Sequence, residues 1–157
     1  MSDLSKKLSA LLRDKSMKLV TAESCTGGLV AASITELPGS SDVFERGFIT
    51  YSNEAKTDLL NVPKQIITAN GAVSAQVAES MAKGALDNSQ GDIAISITGI
   101  AGPDGGSDEK PVGTIYIGYT IKGGKTGNTH HVFEGNRDDI RQQSTEAALS
   151  LLIEILS

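Results

Sequence analysis

Leucines at positions 4, 8, 11 and 12 recur with helical spacing, and charged residues fill the gaps, so residues 3–14 read as an amphipathic helix. KLVTAE at 18–23 then reads as a short strand running into a small, polar stretch, Ser24-Cys25-Thr26-Gly27-Gly28. Thr26 to Glu36 predicts a helix stopped by Pro38 and Gly39. Phe44 to Tyr51 (FERGFITY) is rich in β-branched and aromatic residues and predicts a strand. Ser52 or Asn53 caps a helix running to about Leu60. Asn70-Gly71 marks a turn, and Ser74 caps a helix whose Val77, Ala78, Met81, Ala82, Ala85 and Leu86 form one apolar stripe. Asp92 to Thr98 (DIAISIT) predicts a short buried strand, followed by a long Gly/Pro/Asp loop over 99–113. Thr114 to Lys122 alternates, Gly123-Gly124 turns the chain, and 125–134 forms the partner strand of a hairpin. Asn136 caps a closing helix with Ile140, Ala147, Ala148, Leu151, Leu152, Ile155 and Leu156 on one side.

Early strands separated by helices favour parallel pairing, and the late hairpin adds antiparallel strands. The predicted fold is therefore α/β: a three-layer α/β/α sandwich over a mixed sheet of about five strands. A chain of 157 residues suits one domain with its own core, spanning 1–157, with no repeat or linker.

Composition narrows the function classes. The net charge is −5, aromatics make up 4% with no Trp, and no basic cluster exceeds Lys6-Lys7, which speaks against nucleic acid as the ligand. Cys25 is the single cysteine, so an internal disulfide and a Cys-rich zinc site are both excluded. The N-terminus is charged and amphipathic and has no uninterrupted apolar core, unlike a secretory signal, and no 18-residue apolar run is present. These features predict a cytoplasmic protein that uses neither membrane nor nucleic acid, and nothing in them calls for a metal or other cofactor.

In such a sheet, ligands bind beyond the carboxyl ends of parallel strands. Three predicted strand ends carry candidate chemistry: Glu23-Ser24-Cys25-Thr26, Tyr51-Ser52-Asn53 and Thr98-Gly99. The stretch from 21 to 28, TAESCTGG, matches neither the Walker phosphate loop nor the G-x-S-x-G elbow. It remains a strand-to-helix turn ending near a helix N-terminus, where free backbone amides can hold an anion or a developing oxyanion. A nucleophile there needs a base. His130 and His131 are adjacent on a predicted strand and so point to opposite faces, which makes a Ser-His-Asp triad unattractive. Lys56 is the other option, because a desolvated lysine can lose its proton near neutral pH. Cys25 is either a rival nucleophile or a small buried hydrophobe. Arg137 and Arg141 share one face at the start of the last helix, where cations oppose the helix dipole unless an anion is bound. Asp104, Asp108 and Glu109 lack the spacing of a calcium loop and read better as an acidic, flexible lid.

AESCTGG at 22–28, PGSSDVFERGFITYSNEAK at 38–56, GAVS at 71–74, TGIAGPDGGSDEKPVG at 98–113 and GNRDDIR at 135–141 together resemble the CinA C-terminal-domain family, across about residues 5–156. The resemblance implies a stand-alone form of that domain and an amidase that converts nicotinamide mononucleotide to nicotinate mononucleotide and ammonia. It also implies a serine nucleophile at Ser24, a lysine base at Lys56 and a mechanistic tyrosine at Tyr51. With it, Glu23, Cys25, Thr26, Gly27, Gly28, Asn53, Thr98, Gly99, Ala101, Arg137 and Arg141 become the candidate substrate contacts. One or other arginine would hold the 5′-phosphate, and Glu23 would position either Lys56 or a substrate hydroxyl. The rival readings are a non-catalytic module that binds pyridine nucleotides and a DNA-uptake accessory protein. The hairpin at 114–134 lies at a predicted sheet edge that needs covering, so a homodimer is expected.

Overall fold

A computed structural model describes residues 2–157. Its sheet has five strands in the order β2-β1-β3-β4-β5. β1 (Leu19–Glu23) lies between β2 (Phe44–Ile49) and β3 (Ile93–Gly99), parallel to both. β4 (Thr114–Ile121) and β5 (Thr126–Val132) continue the sheet as an antiparallel hairpin. The expected mixed sheet and three layers are both present.

The period of two along the strands sorts the two cores. Leu19, Ile93, Ile95, Ile97, Ile115 and Ile117 face one layer, built from α1 (Ser2–Asp14), α2 (Leu29–Thr35) and α6 (Arg137–Leu156). Val20, Ala22 and Ala94 face the other layer, built from α3 (Asn53–Leu60), α4 (Lys64–Asn70) and α5 (Ala75–Asp87). Branched side chains fill the first core, each contributing roughly 1.5–3 kcal/mol when fully buried. Small residues let α5 approach the second face closely. The Ser96 hydroxyl donates to the Ala78 carbonyl, and a Cβ at Gly118 would fall onto that same carbonyl.

Two elements differ from the sequence expectation. α2 begins at Leu29 and not at Thr26, because Gly27 (φ 58°) and Gly28 (φ 110°) adopt left-handed conformations that end any helical run before them. α4 was not anticipated from its pattern. Pro63 precedes it with φ −60°, already suited to helix entry, and Ile66 and Ile67 pack onto the second core. The predicted caps are in place: Ser52 accepts from the Ala55 amide, Ser74 from that of Val77, and Asn136 forms a reciprocal capping box with Asp139.

Candidate active site

Because β2, β1 and β3 run parallel, their carboxyl ends meet on one edge. The ladder continues one residue beyond β1: the Ser24 amide donates to the Ile97 carbonyl at 2.9 Å, and the Thr50 amide to the Glu23 carbonyl at 2.8 Å. Ser24 is thus fixed between its two neighbouring strand ends before the chain turns. A pocket of about 270 Å³ opens there. It gathers Ser24, Cys25, Tyr51, Asn53, Lys56, Thr98, Gly99, Ala101 and Arg137, nine of the candidates. Glu23, Thr26, Gly27, Gly28 and Arg141 lie outside its lining.

Lys56 comes from the first turns of α3 and is 1% exposed. Its Nζ lies 3.0 Å from Ser24 Oγ, 2.9 Å from the Thr50 carbonyl oxygen and 3.4 Å from that of Tyr51. A neutral amine has two N–H donors and one lone pair. The two carbonyls can accept those donors, and in the neutral form the remaining lone pair can accept from the Ser24 hydroxyl, which in the charged form accepts from Nζ instead. Among the described residues the ion pairs are Arg13–Asp42 and Arg46–Glu45, so no carboxylate holds Lys56 in its charged form. Burial pulls its pKa below the usual 10.5.

Cys25 sits beside this pair, 6% exposed, and burial pushes its thiol up to about 12. Such a thiol stays protonated at neutral pH and makes a poor nucleophile. His130 and His131 lie elsewhere, on β5, where His130 stacks on Tyr116 and His131 on Phe133.

The structure gives Glu23 a different task from the one expected. It is fully buried, and its Oε1 accepts from the Thr26 hydroxyl at 2.6 Å and from the amides of Gly28 and Val30 at 3.2 and 3.0 Å. Oε2 accepts from the Ala31 amide at 3.1 Å. The first amides of α2, which the sequence offered to a substrate anion, are satisfied by this carboxylate. Gly27 is also committed, donating to the Ser24 carbonyl at 3.1 Å. The Thr26 amide makes no bond within this turn, and the Cys25 amide meets only its own thiol.

The two arginines divide. Arg137 lines the pocket and donates to the Gly102 carbonyl at 2.7 Å and to Tyr51 Oη at 2.9 Å. A guanidinium has five N–H donors, so it keeps capacity for an anion. Arg141, one turn further along α6, donates from Nε to the Cys25 carbonyl at 3.1 Å and from Nη2 to the Thr26 carbonyl at 3.3 Å. The Tyr51 side chain is 61% exposed at the rim and meets Arg137; it is the main-chain carbonyl of Tyr51 that meets Lys56. The Thr98 hydroxyl donates to the Ala72 carbonyl at 2.9 Å, which ties the end of β3 to the segment before α5.

Asp104 and Gly105 of the long loop form one wall. The loop is fastened rather than free: Lys110 Nζ donates to the Asn70 carbonyl at 2.8 Å, and the Gly113 amide to that of Ile100 at 2.7 Å. Sequence reasoning missed the main-chain oxygens of Thr50 and Gly102 and the wall residues Ala72 and Val73. Main-chain acceptors carry no side-chain signature, so no pattern could have flagged them.

The family profile described as "CinA C-terminal domain" matches residues 1–156. The nicotinamide-nucleotide amidohydrolase PncC of Escherichia coli K12 is 48% identical over 149 residues, covering 95% of this chain and 90% of that protein. A CinA-like protein of Akkermansia muciniphila is 42% identical over 98% of this chain, which spans 37% of that longer relative. The crystal structure of the competence/damage inducible protein CihA from Agrobacterium tumefaciens superposes with a TM-score of 0.96 at 41% identity, covering 99% of this chain and 95% of that one.

Proposed function

Because the chain belongs to the CinA C-terminal domain family, we propose that it hydrolyses the carboxamide of nicotinamide mononucleotide, with Ser24 as nucleophile and Lys56 as base. The observation that carries this reading is the buried Lys56 Nζ, 3.0 Å from Ser24 Oγ with no carboxylate partner among the described residues. The amidohydrolase name of the Escherichia coli relative supports the substrate.

Neutral Lys56 takes the Ser24 proton as Oγ attacks the carboxamide carbon. The carbonyl oxygen becomes an oxyanion held by the Cys25 and Thr26 amides, with those of Gly99 and Ala101 across the pocket. One such donor typically contributes ~3 kcal/mol to the transition state. The tetrahedral intermediate collapses, the C–N bond breaks, and Lys56 returns the proton to the leaving nitrogen, which departs as ammonia. Water then attacks the ester carbon with Lys56 again as base, releasing nicotinate mononucleotide and restoring Ser24. Arg137 holds the 5′-phosphate with the donors that Gly102 and Tyr51 leave unused. Asn53 and Thr98 line the wall beside the ribose and ring. The chemistry runs on this chain's own groups and would return a pyridine nucleotide to salvage.

Ammonia release from nicotinamide mononucleotide, and from the riboside lacking the phosphate, tests the reading. The expected result is turnover of the nucleotide and a much higher KM for the riboside. Binding of the nucleotide without ammonia release would overturn the enzyme reading in favour of a binding module.

A further inference from the structure

The nucleophile turn is gripped from two sides by opposite charges. Glu23 collects the hydrogen-bond donors on one side: the Thr26 hydroxyl and the amides of Gly28, Val30 and Ala31. Arg141 collects the acceptors on the other: the carbonyls of Cys25 and Thr26. Two fixed charges on one five-residue turn exceed what a strand-to-helix connection requires, since a single capping side chain satisfies most such turns.

The consequence follows from peptide geometry. The only cis peptide among the described residues is Gly102–Pro103, so every peptide in the turn is trans. In a trans peptide the C=O and N–H point in opposite directions. Arg141 pulls the Cys25 carbonyl toward α6, and the Thr26 N–H of that same peptide is therefore turned the other way. Arg141 also holds the Thr26 carbonyl, whose peptide carries the Gly27 N–H; that N–H donates to the Ser24 carbonyl, and the Cys25 N–H of the Ser24–Cys25 peptide is turned the opposite way. The Thr26 amide, left without a partner in the turn, and the Cys25 amide, which meets only its own thiol, are thereby set by groups that lie outside the pocket.

We infer that Arg141, working against Glu23, is a positioning residue that fixes the direction of the Cys25 and Thr26 amides as oxyanion donors beside Ser24, and is not a ligand of the substrate phosphate. This rests on the serine-hydrolase reading of the site. It divides labour along one face of α6: Arg137 meets the substrate, and Arg141 builds the turn that meets the reacting carbonyl. A guanidinium suits this task and an ammonium does not, because Nε and Nη2 reach two successive carbonyls from one plane.

The test compares Arg141→Ala, Arg141→Lys and Arg137→Ala in the full chain, with folding checked by thermal unfolding. Arg141→Ala should lower kcat roughly 10- to 100-fold, the scale of a weakened oxyanion donor. The KM for nicotinamide mononucleotide should stay within about twofold, and the preference for nucleotide over riboside should be unchanged. Added guanidinium ion should restore part of kcat in Arg141→Ala, and Arg141→Lys should recover little. Arg137→Ala should instead raise KM and erase the preference for the phosphate. A serine-directed fluorophosphonate gives a second readout that needs no amide substrate: Arg141→Ala should be phosphonylated at least about tenfold more slowly than wild type, again on the oxyanion scale. If wild type labels with the probe but releases no ammonia, the amidase reading fails and this inference stands on the labelling rates. Loss of the phosphate preference in Arg141→Ala, or unchanged kcat and labelling, overturns it.

Discussion

Replacing Glu23 by glutamine changes one atom beside the Ser24–Gly28 turn, and the structure sets the size of the effect. Glu23 is 0% exposed and accepts four hydrogen bonds, three of them on Oε1. A glutamine can keep its carbonyl oxygen against those three donors, but its amide nitrogen then confronts the Ala31 N–H. One bond is lost, and two buried donors face each other without an acceptor, at about 1–3 kcal/mol. The three surviving bonds lose their charge assistance, which roughly halves each. The favourable charge at the start of α2 disappears as well, typically 0.3–1 kcal/mol. The combined expectation is a destabilisation of about 3–8 kcal/mol, which for a chain of this size lowers Tm by roughly 6–30 °C. Urea unfolding followed by circular dichroism, with an unchanged slope, measures it. Glu36→Gln, at an exposed site after α2, serves as the control and should stay within about 0.5 kcal/mol. A Glu23→Gln protein within ~1 kcal/mol of wild type would refute the claim that this carboxylate holds the turn together.

Other outcomes follow from the same geometry. Since burial lowers the Lys56 pKa, the neutral base fraction rises with pH, and kcat/KM should climb through an apparent pKa below 10.5; a midpoint at or above 10.5 would contradict a desolvated base. The same shift makes the unfolded chain hold more protons between the lowered value and 10.5, so stability should also rise with pH across that window, and Lys56→Met should lose the rise. Cys25, with its thiol at about 12, should react slowly with iodoacetamide at pH 8, and Cys25→Ala should keep most of the activity; rapid alkylation would contradict its burial. Gly84→Ala in α5 would ordinarily gain helix propensity, but its new Cβ falls onto the Leu60 carbonyl. It should therefore destabilise by roughly 1–3 kcal/mol or more in urea unfolding, and a gain in stability would show that α3 and α5 are less tightly packed.

What the residue pattern revealed, and what it hid, has a physical logic. The parallel strands were visible because β3 is a short apolar run and β1 and β2 are short stretches with β-branched or aromatic residues, each followed by turn residues, and the caps because Ser52, Ser74 and Asn136 stand just before periodic segments. α4 was hidden because it is seven residues long, follows Pro63 and has no side-chain cap. The closeness of Ser24 and Lys56 was legible because a hydroxyl turn and a lysine follow two parallel strand ends, and register places them side by side. Glu23 read as a substrate contact because it directly precedes Ser24, and Arg141 because it shares a face with Arg137 at the start of the last helix. Their partners are main-chain groups of the turn itself, which only the folded backbone brings within reach. The phenol of Tyr51 is a similar case: it is aimed at Arg137, 86 positions away along the chain.

The most direct test of the central claim is to look for the covalent intermediate. Wild type and Ser24→Ala would be mixed with nicotinamide mononucleotide, quenched in acid on the millisecond scale and analysed by intact mass and peptide mapping. Wild type should carry the nicotinate-mononucleotide acyl group on Ser24 at early times, with ammonia released in step and no adduct on Ser24→Ala. Ammonia release that persists in Ser24→Ala, or an adduct that maps to Cys25, would contradict a serine nucleophile activated by Lys56.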